Sequence, residues 1–273
     1  MEIGILLTIV FYTASTAAYT VFLLRQKKQY YRGGVMLLSA GFAIHLIMIT
    51  VGTIRSGHLP VNTLRDTLSF GALAVAGVFL LFQYCYRLKV LGVFSAPLAA
   101  VTMIIVALMP QAAIPAQPVL KSLWLVSHVT LIFIGEASLA LACGLGILYL
   151  VQEQAIKSKK PGFFFRRLPS LDLLDSAGQT CILAGFVMMT LGLATGLIYA
   201  KTVWGRFWSW DPKEVWSGIT WLLYAVLIHE RLALGWRGRR AAIVAIIGFA
   251  TVLFTFLGVN LFMTGHHGEF TRW

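Results

Sequence analysis

Long apolar runs, separated by short clusters of polar and charged residues, recur from one end of the chain to the other. A helix needs about 20 mostly apolar residues to cross a hydrocarbon core ~30 Å thick. Eight stretches approach or exceed that length: Ile3–Leu24, Gly34–Ile54, Leu68–Tyr86, Val90–Leu108, Leu123–Val151, Thr180–Ala200, Trp216–Leu234 and Ala241–Phe262. The third and fourth are joined by a very short turn around Arg87-Leu88-Lys89. No internal repeat, long linker or low-complexity tract interrupts the series. The pattern predicts an all-α polytopic integral membrane helix bundle of about eight transmembrane helices, organised as one membrane domain over residues 1–273. Met1-Glu2-Ile3 lacks the positive n-region and small-residue cleavage site of a signal peptide, so the first run reads as a retained helix.

Composition closes off the other classes. The 273 residues are 59% hydrophobic and only 12% charged, about half the charge of an ordinary soluble domain. At 13% aromatic the chain is also unlike a disordered one, which is polar and poor in aromatics. Lys+Arg 22 against Asp+Glu 10 resembles a nucleic-acid binder, but no soluble basic domain exists to carry that role. Topology explains the excess instead. Fifteen of the 22 basic residues fall in the loops after spans one, three, five and seven (among them Arg25, Lys27, Lys28, Arg166, Arg167, Arg239 and Arg240) and seven in the alternate loops. The positive-inside rule then puts the first set in the cytoplasm and both termini outside. Cys85, Cys143 and Cys181 form no CxxC and read as packing residues.

The external region 201–218, around the start of span seven, carries the distinctive chemistry. It reads Trp204-Gly205-Arg206-Phe207-Trp208-Ser209-Trp210-Asp211-Pro212-Lys213-Glu214-Val215-Trp216, with four of the eight tryptophans in thirteen residues. An interfacial aromatic belt is the plain explanation. Against it, Trp204, Trp208 and Asp211 would share one face of a helix, and Lys201, Arg206 and Lys213 bring cations to the less basic side. Aromatic faces suit a large planar apolar ligand, and indole N–H groups and cations suit its anionic substituents. A porphyrin with two propionates fits; a quinone or a lipid headgroup fits less neatly.

Histidines supply candidate iron ligands, since neutral imidazole is a common axial donor. His128 opens span five and His267 follows span eight, both on the side of the tryptophan segment, with His266 beside the latter. His229 lies thirteen residues into span seven, ~20 Å toward the cytoplasmic leaflet. His45 and Glu136 are also intramembrane, and such groups are costly enough to count as functional candidates. They could relay protons or pair with another buried polar group. No Walker A, HExxH or CxxCH motif is present, so neither an ATPase, a zincin nor a c-type haem attachment site is encoded.

The run from Trp204 to Trp216, continuing through Thr220-Trp221 and Tyr224 to His229, resembles the tryptophan-rich WWD signature of haem-handling proteins. Its continuation is similar to the CcsA/ResC branch, the cytochrome c assembly proteins of system II. Ser127-His128, Leu168-Pro-Ser-Leu171 with Leu174-Asp175, Thr190-Leu-Gly192 with Thr195-Gly196, and Asn260-Leu-Phe262 with Gly265-His-His267 match in the same order. The resemblance implies that the WWD segment (Trp204, Arg206, Trp208, Trp210, Asp211, Lys213, Trp216) and two external histidines, His128 and His267, hold haem b at the outer face. It implies that His229 takes haem on the inner side, with the opposite ligand from a CcsB/ResB-type membrane protein. The complex would export haem and attach it covalently to the CXXCH of an apocytochrome c as part of a holocytochrome c synthase, served by a thioredoxin-type thiol-disulfide reductant. The membrane would be the inner membrane of a bacterium or a thylakoid. His266, directly before His267, and Glu136 depart from that pattern. A HemX-like regulator of haem synthesis and a transporter of another amphiphile are the alternatives.

Overall fold

The computed structural model describes residues 2–86, 88–110, 121–159 and 162–265. These form helices and no strand element: α1 (Glu2–Arg25), α2 (Lys28–Ser56), α3 (Leu64–Tyr86), α4 (Gly92–Leu108, entered through a 3-10 turn at Lys89–Leu91), α5 (Leu123–Lys157), α6 (Leu171–Trp204), α7 (Pro212–Ala233) and α8. The last runs from Arg239 to Leu253, widens into a π turn at Phe254–Gly258 and ends with Val259–Phe262.

Seven of the eight, all but α7, are long and apolar enough to cross a membrane, and the chain is an integral membrane protein. At 22 residues, α7 also has the reach, ~33 Å at 1.5 Å per residue. Charged residues at its two ends, Lys213 and Glu214 against Glu230 and Arg231, dilute its apolar content.

Contacts at the helix ends show that the helices alternate in direction. At one end, Arg65 of α3 donates from Nη2 to Glu2 Oε1 of α1 at 2.9 Å and from Nε to Val106 O of α4 at 3.0 Å. At the other, Arg231 near the end of α7 meets Asp175 near the start of α6, and Arg239 of α8 meets Glu153 near the end of α5. The α5–α6 loop returns to α1 there, Arg167 Nη2 donating to Leu24 O at 3.2 Å. Arg65, from the smaller basic group distinguished by sequence, therefore lies at the opposite end of the bundle from Arg167, Arg231 and Arg239 of the larger one.

Two helices outrun the expected spans. α5 has 35 residues and α6 has 34, whereas hydropathy marks only Leu123–Val151 and Thr180–Ala200. The extra turns of α6 carry Asp172, Asp175 and Gln179, and they begin at Ser170, whose side chain accepts from Leu173 N–H as an N-cap. Hydropathy senses the lipid-matched part of a helix, and capping decides where it starts. α5 and α6 cross closely because Gly135 and Gly185 remove the side chains between them. A Cβ on Gly135 would lie 3.0 Å from Met189 N and 3.1 Å from Gly185 O. Small residues at such crossings let membrane helices pack backbone to backbone.

The first half, α1–α4, is closed. Tyr12 and Tyr19 of α1 are fully buried, and His45 of α2 sits between Tyr12 Oη, 3.3 Å from its Nδ1, and Ser69 Oγ of α3, 3.0 Å from its Nε2. Both ring nitrogens have partners inside the packed helices. Of the two roles open to His45, the structure displays pairing with buried polar groups.

Candidate functional site

The break between α6 and α7 shapes the site. α6 stops at Trp204 because Gly205 adopts the left-handed conformation (φ 73°) and its N–H returns to Lys201 O, a common helix stop. Lys201 Nζ also donates to Gly205 O at 2.9 Å. The tryptophan segment is thus no continuous helix, and the shared helical face expected for Trp204, Trp208 and Asp211 does not form. Instead residues 205–211 make a turn that ends in a capping box. Asp211, buried, is the N-cap of α7 and accepts from Lys213 N–H at 2.9 Å. Glu214 accepts from Ser209 N–H at 2.8 Å, Ser209 Oγ at 2.9 Å and Asp211 N–H at 3.3 Å. Pro212 takes the first helical position, where its missing N–H costs nothing. The sequence signal for this was Asp-Pro-Lys-Glu itself, a helix start.

Next to this turn lies a cavity with about 280 Å³ of internal space, walled by the same-side ends of α5, α6, α7 and α8. Val61 and Thr67 of the α2–α3 region reach its edge. From α5 come His128, Ile132, Phe133 and Glu136; from α6, Gly196, Tyr199 and Trp204; from the turn and α7, Phe207, Trp208, Lys213 and Gly218; from the π turn of α8, Thr255 and Phe256. A π turn widens the helix by one residue, a distortion frequent at functional sites. Trp221, a turn or two deeper in α7, donates from Nε1 to Thr190 Oγ1 at 2.9 Å and stacks on Phe186, tying α7 to α6.

His128 is held in one tautomer. Its Nδ1 lies 2.7 Å from Gly192 O, and a carbonyl can only accept, so Nδ1 carries a hydrogen and, in the neutral ring, Nε2 carries the lone pair. This is the form in which imidazole binds a metal, its orientation set by the second nitrogen. Gly196 makes room for the ring: a Cβ there would stand 2.6 Å from His128 Nδ1. The aromatic walls suit a flat apolar ring and Lys213 suits a carboxylate, so the residues present fit haem. Among the described residues no cluster of three or more His, Cys, Asp or Glu could hold a bare metal ion.

The other residues singled out by sequence divide sharply. Trp204, Trp208, Lys213, His128 and Glu136 line the cavity. Trp210 does not: it is 78% exposed and meets Trp208 edge-on, ring centroids 5.8 Å apart. Trp216 packs on Phe254, 4.5 Å between centroids, and Arg206 is exposed. His229 lies near the far end of α7, exposed on the same outward face as Leu222 and Val226. His266 and His267 lie outside the described residues, as does Arg87. The last described residue before them, Gly265, lies against the Asp211 carboxylate at the rim. Phe133, Tyr199, Phe207 and Phe256, which sequence did not single out, complete the aromatic lining. Nothing in their spacing distinguishes them from other apolar helix positions.

Residues 61–267 match the family model described as cytochrome C assembly protein, a range that takes in every residue lining the cavity and leaves out His45. The chain is 35% identical over 240 residues to a protein named cytochrome c biogenesis protein CcsA from Synechococcus sp. (strain CC9902), covering 78% of each. It is 36% identical over 233 residues to the like-named protein of Chlamydomonas reinhardtii, covering 81% of this chain and 64% of the relative. The match to that of Chlorella vulgaris is 35% over 246 residues, 78% of each. Among solved structures, a protein titled cytochrome c heme lyase CcmF superposes with a TM-score of 0.64 at 17% identity. That alignment covers 98% of this chain and 47% of the longer one, and it shows a shared fold.

Proposed function

Since the chain belongs to the cytochrome c assembly protein family, we propose that its cavity holds haem b as substrate and presents it for covalent attachment to the CXXCH of an apocytochrome c. The observation that carries this reading is His128: an imidazole with Nδ1–H committed to Gly192 O, on the wall of an aromatic cavity. His128 would be one residue holding the haem iron, and His267, with His266 as its neighbouring alternative, would be the other. Trp204 and Trp208 would offer apolar surface to the ring, and Lys213 would receive a propionate. Asp211 acts through the backbone: by capping α7 it sets the position of Lys213, and with Glu214 it holds the turn that carries Trp208.

The reaction this arrangement serves is the addition of two cysteine thiols across the two vinyl groups of haem. Each S–H adds to a C=C bond, forming a C–S bond with no net change of electrons. The chain contributes proximity and orientation, which can be worth several kcal/mol of a barrier. The thiols must arrive reduced, which assigns a thioredoxin-type reductant to the pathway. The excess of basic residues at the far end supports an outer position for the cavity, in a bacterial inner membrane or a thylakoid. The exposure of His229 on an outward face of α7 is compatible with a second ligand to iron there from a CcsB/ResB-type partner.

The test is spectroscopic. The full-length chain, purified with its membrane partner from haem-replete cells, is expected to show a Soret band that His128→Ala removes or shifts. A colourless protein, or an unaltered band in His128→Ala, refutes the assignment.

A further inference from the structure

One carboxylate stands where an anionic ligand would least tolerate it. Glu136 follows His128 by eight residues on α5, about 12 Å along the helix, and residues 128, 132 and 136 all face the cavity. Among the described residues it makes no hydrogen bond and no ion pair within 4.0 Å. The opposing charge is Lys213, in the first turn of α7, which lines the same cavity and feels Glu136 and Asp211 electrostatically.

Lys213 is nevertheless held by a neutral group. Its Nζ donates to Asn260 Oδ1 at 3.3 Å, and Asn260 Nδ2 donates to Phe256 O at 2.6 Å. The second bond orients the amide so that its oxygen faces the ammonium. The lysine is therefore aimed into the cavity by α8, with a carboxylate across from it that it does not touch. In an apolar, low-dielectric space opposite charges still attract at such separations, and two like charges repel.

We propose that Glu136 is a specificity- and release-determining residue: it is the resident counter-charge of Lys213 and competes for that ammonium with a carboxylate of the bound ligand. The inference rests on the haem reading above and deepens it. A carrier that must hand its cargo on cannot hold it at full strength, and a fixed acid facing the ligand's own carboxylates weakens the hold without altering the iron ligand. Removing the charge of Glu136 thus tightens binding, but only of a ligand that bears carboxylates.

The test uses the full-length chain in nanodiscs, titrated with iron protoporphyrin IX and, separately, with its dimethyl ester, followed by Soret absorbance. Glu136→Gln, which preserves shape, is expected to tighten the diacid roughly tenfold, about 1.4 kcal/mol, and to leave the diester unchanged. Lys213→Gln is expected to weaken the diacid, and adding Glu136→Gln to it should then bring a smaller gain than in the wild type, because part of the effect of Glu136 runs through Lys213. A weaker diacid in Glu136→Gln, an unchanged one, or equal shifts for both probes overturns the proposal while the haem reading stands. If the wild-type chain binds neither probe, the haem reading falls and this proposal with it. Equal thermal unfolding of the wild type and Glu136→Gln separates these outcomes from misfolding.

Discussion

At the basic end of the bundle, Asp175 accepts from Arg231 Nη1 and Nη2 at 3.2 and 2.9 Å and from Gly238 N–H at 2.8 Å. At the opposite end, Glu136 and Lys213 line one cavity and form no ion pair. The same four helices, α5–α8, thus treat an acid and a base in opposite ways. Where Asp175 and Arg231 meet, they stitch α6 to α7 and to the turn before α8, leaving about 20 Å³ of space. Where Glu136 and Lys213 stay apart, about 280 Å³ remains open. A buried charge is tolerated when it is paired and hydrogen-bonded, as Asp175 and Arg231 are. The closed end holds the bundle together, and the open end leaves the space in which the proposed ligand would sit.

The largest effect is expected at the closed end. Arg231→Gln leaves Asp175 without its bidentate partner in a site where the Arg231 side chain is 4% exposed. Losing one partner of such a pair is expected to cost about 3–5 kcal/mol of stability, measured by thermal or denaturant unfolding in detergent. The haem spectrum of the remaining folded protein should be unchanged, and a Soret shift in this variant would show that the two ends are not independent.

At the open end, Gly196→Ala places a methyl group against His128 Nδ1. It should displace the imidazole from Gly192 O and weaken haem binding about 10–100-fold, the usual cost of disturbing the group that orients a metal ligand. Wild-type affinity in Gly196→Ala would mean that His128 is not the ligand. The smallest effect is expected at the turn. Asp211→Ala removes the N-cap of α7, worth about 1 kcal/mol, and releases Lys213 and Trp208 from their fixed positions. A modest drop in unfolding temperature together with weaker binding supports the positioning role; a drop in stability alone limits Asp211 to the fold.

Particular residues show how much of this could be read in advance. Helix number and alternation follow from the succession of apolar runs. The start of α7 was written in Asp211-Pro212-Lys213-Glu214, yet the aromatic residues around it suggest a continuous platform, and Gly205 is what ends α6. His45 and His128 look alike in sequence, each a lone histidine in an apolar run. One is fully buried between Tyr12 and Ser69; the other lies on a cavity wall with its tautomer set by Gly192. Trp208 and Trp210, two residues apart, separate in the same way: one lines the cavity while the other is 78% exposed.

What the sequence alone determines is one-dimensional: which segments are apolar enough to enter a membrane, where caps begin and end helices, and which ends carry the basic residues. These depend on local composition, and solvent and bilayer read them segment by segment. The rotation of each helix about its axis, and the neighbour it packs against, come from long-range packing of glycines and large side chains. That packing alone decided that Glu136 would share a space with His128 and Lys213, that His45 would be sealed, and that His229 would face outward.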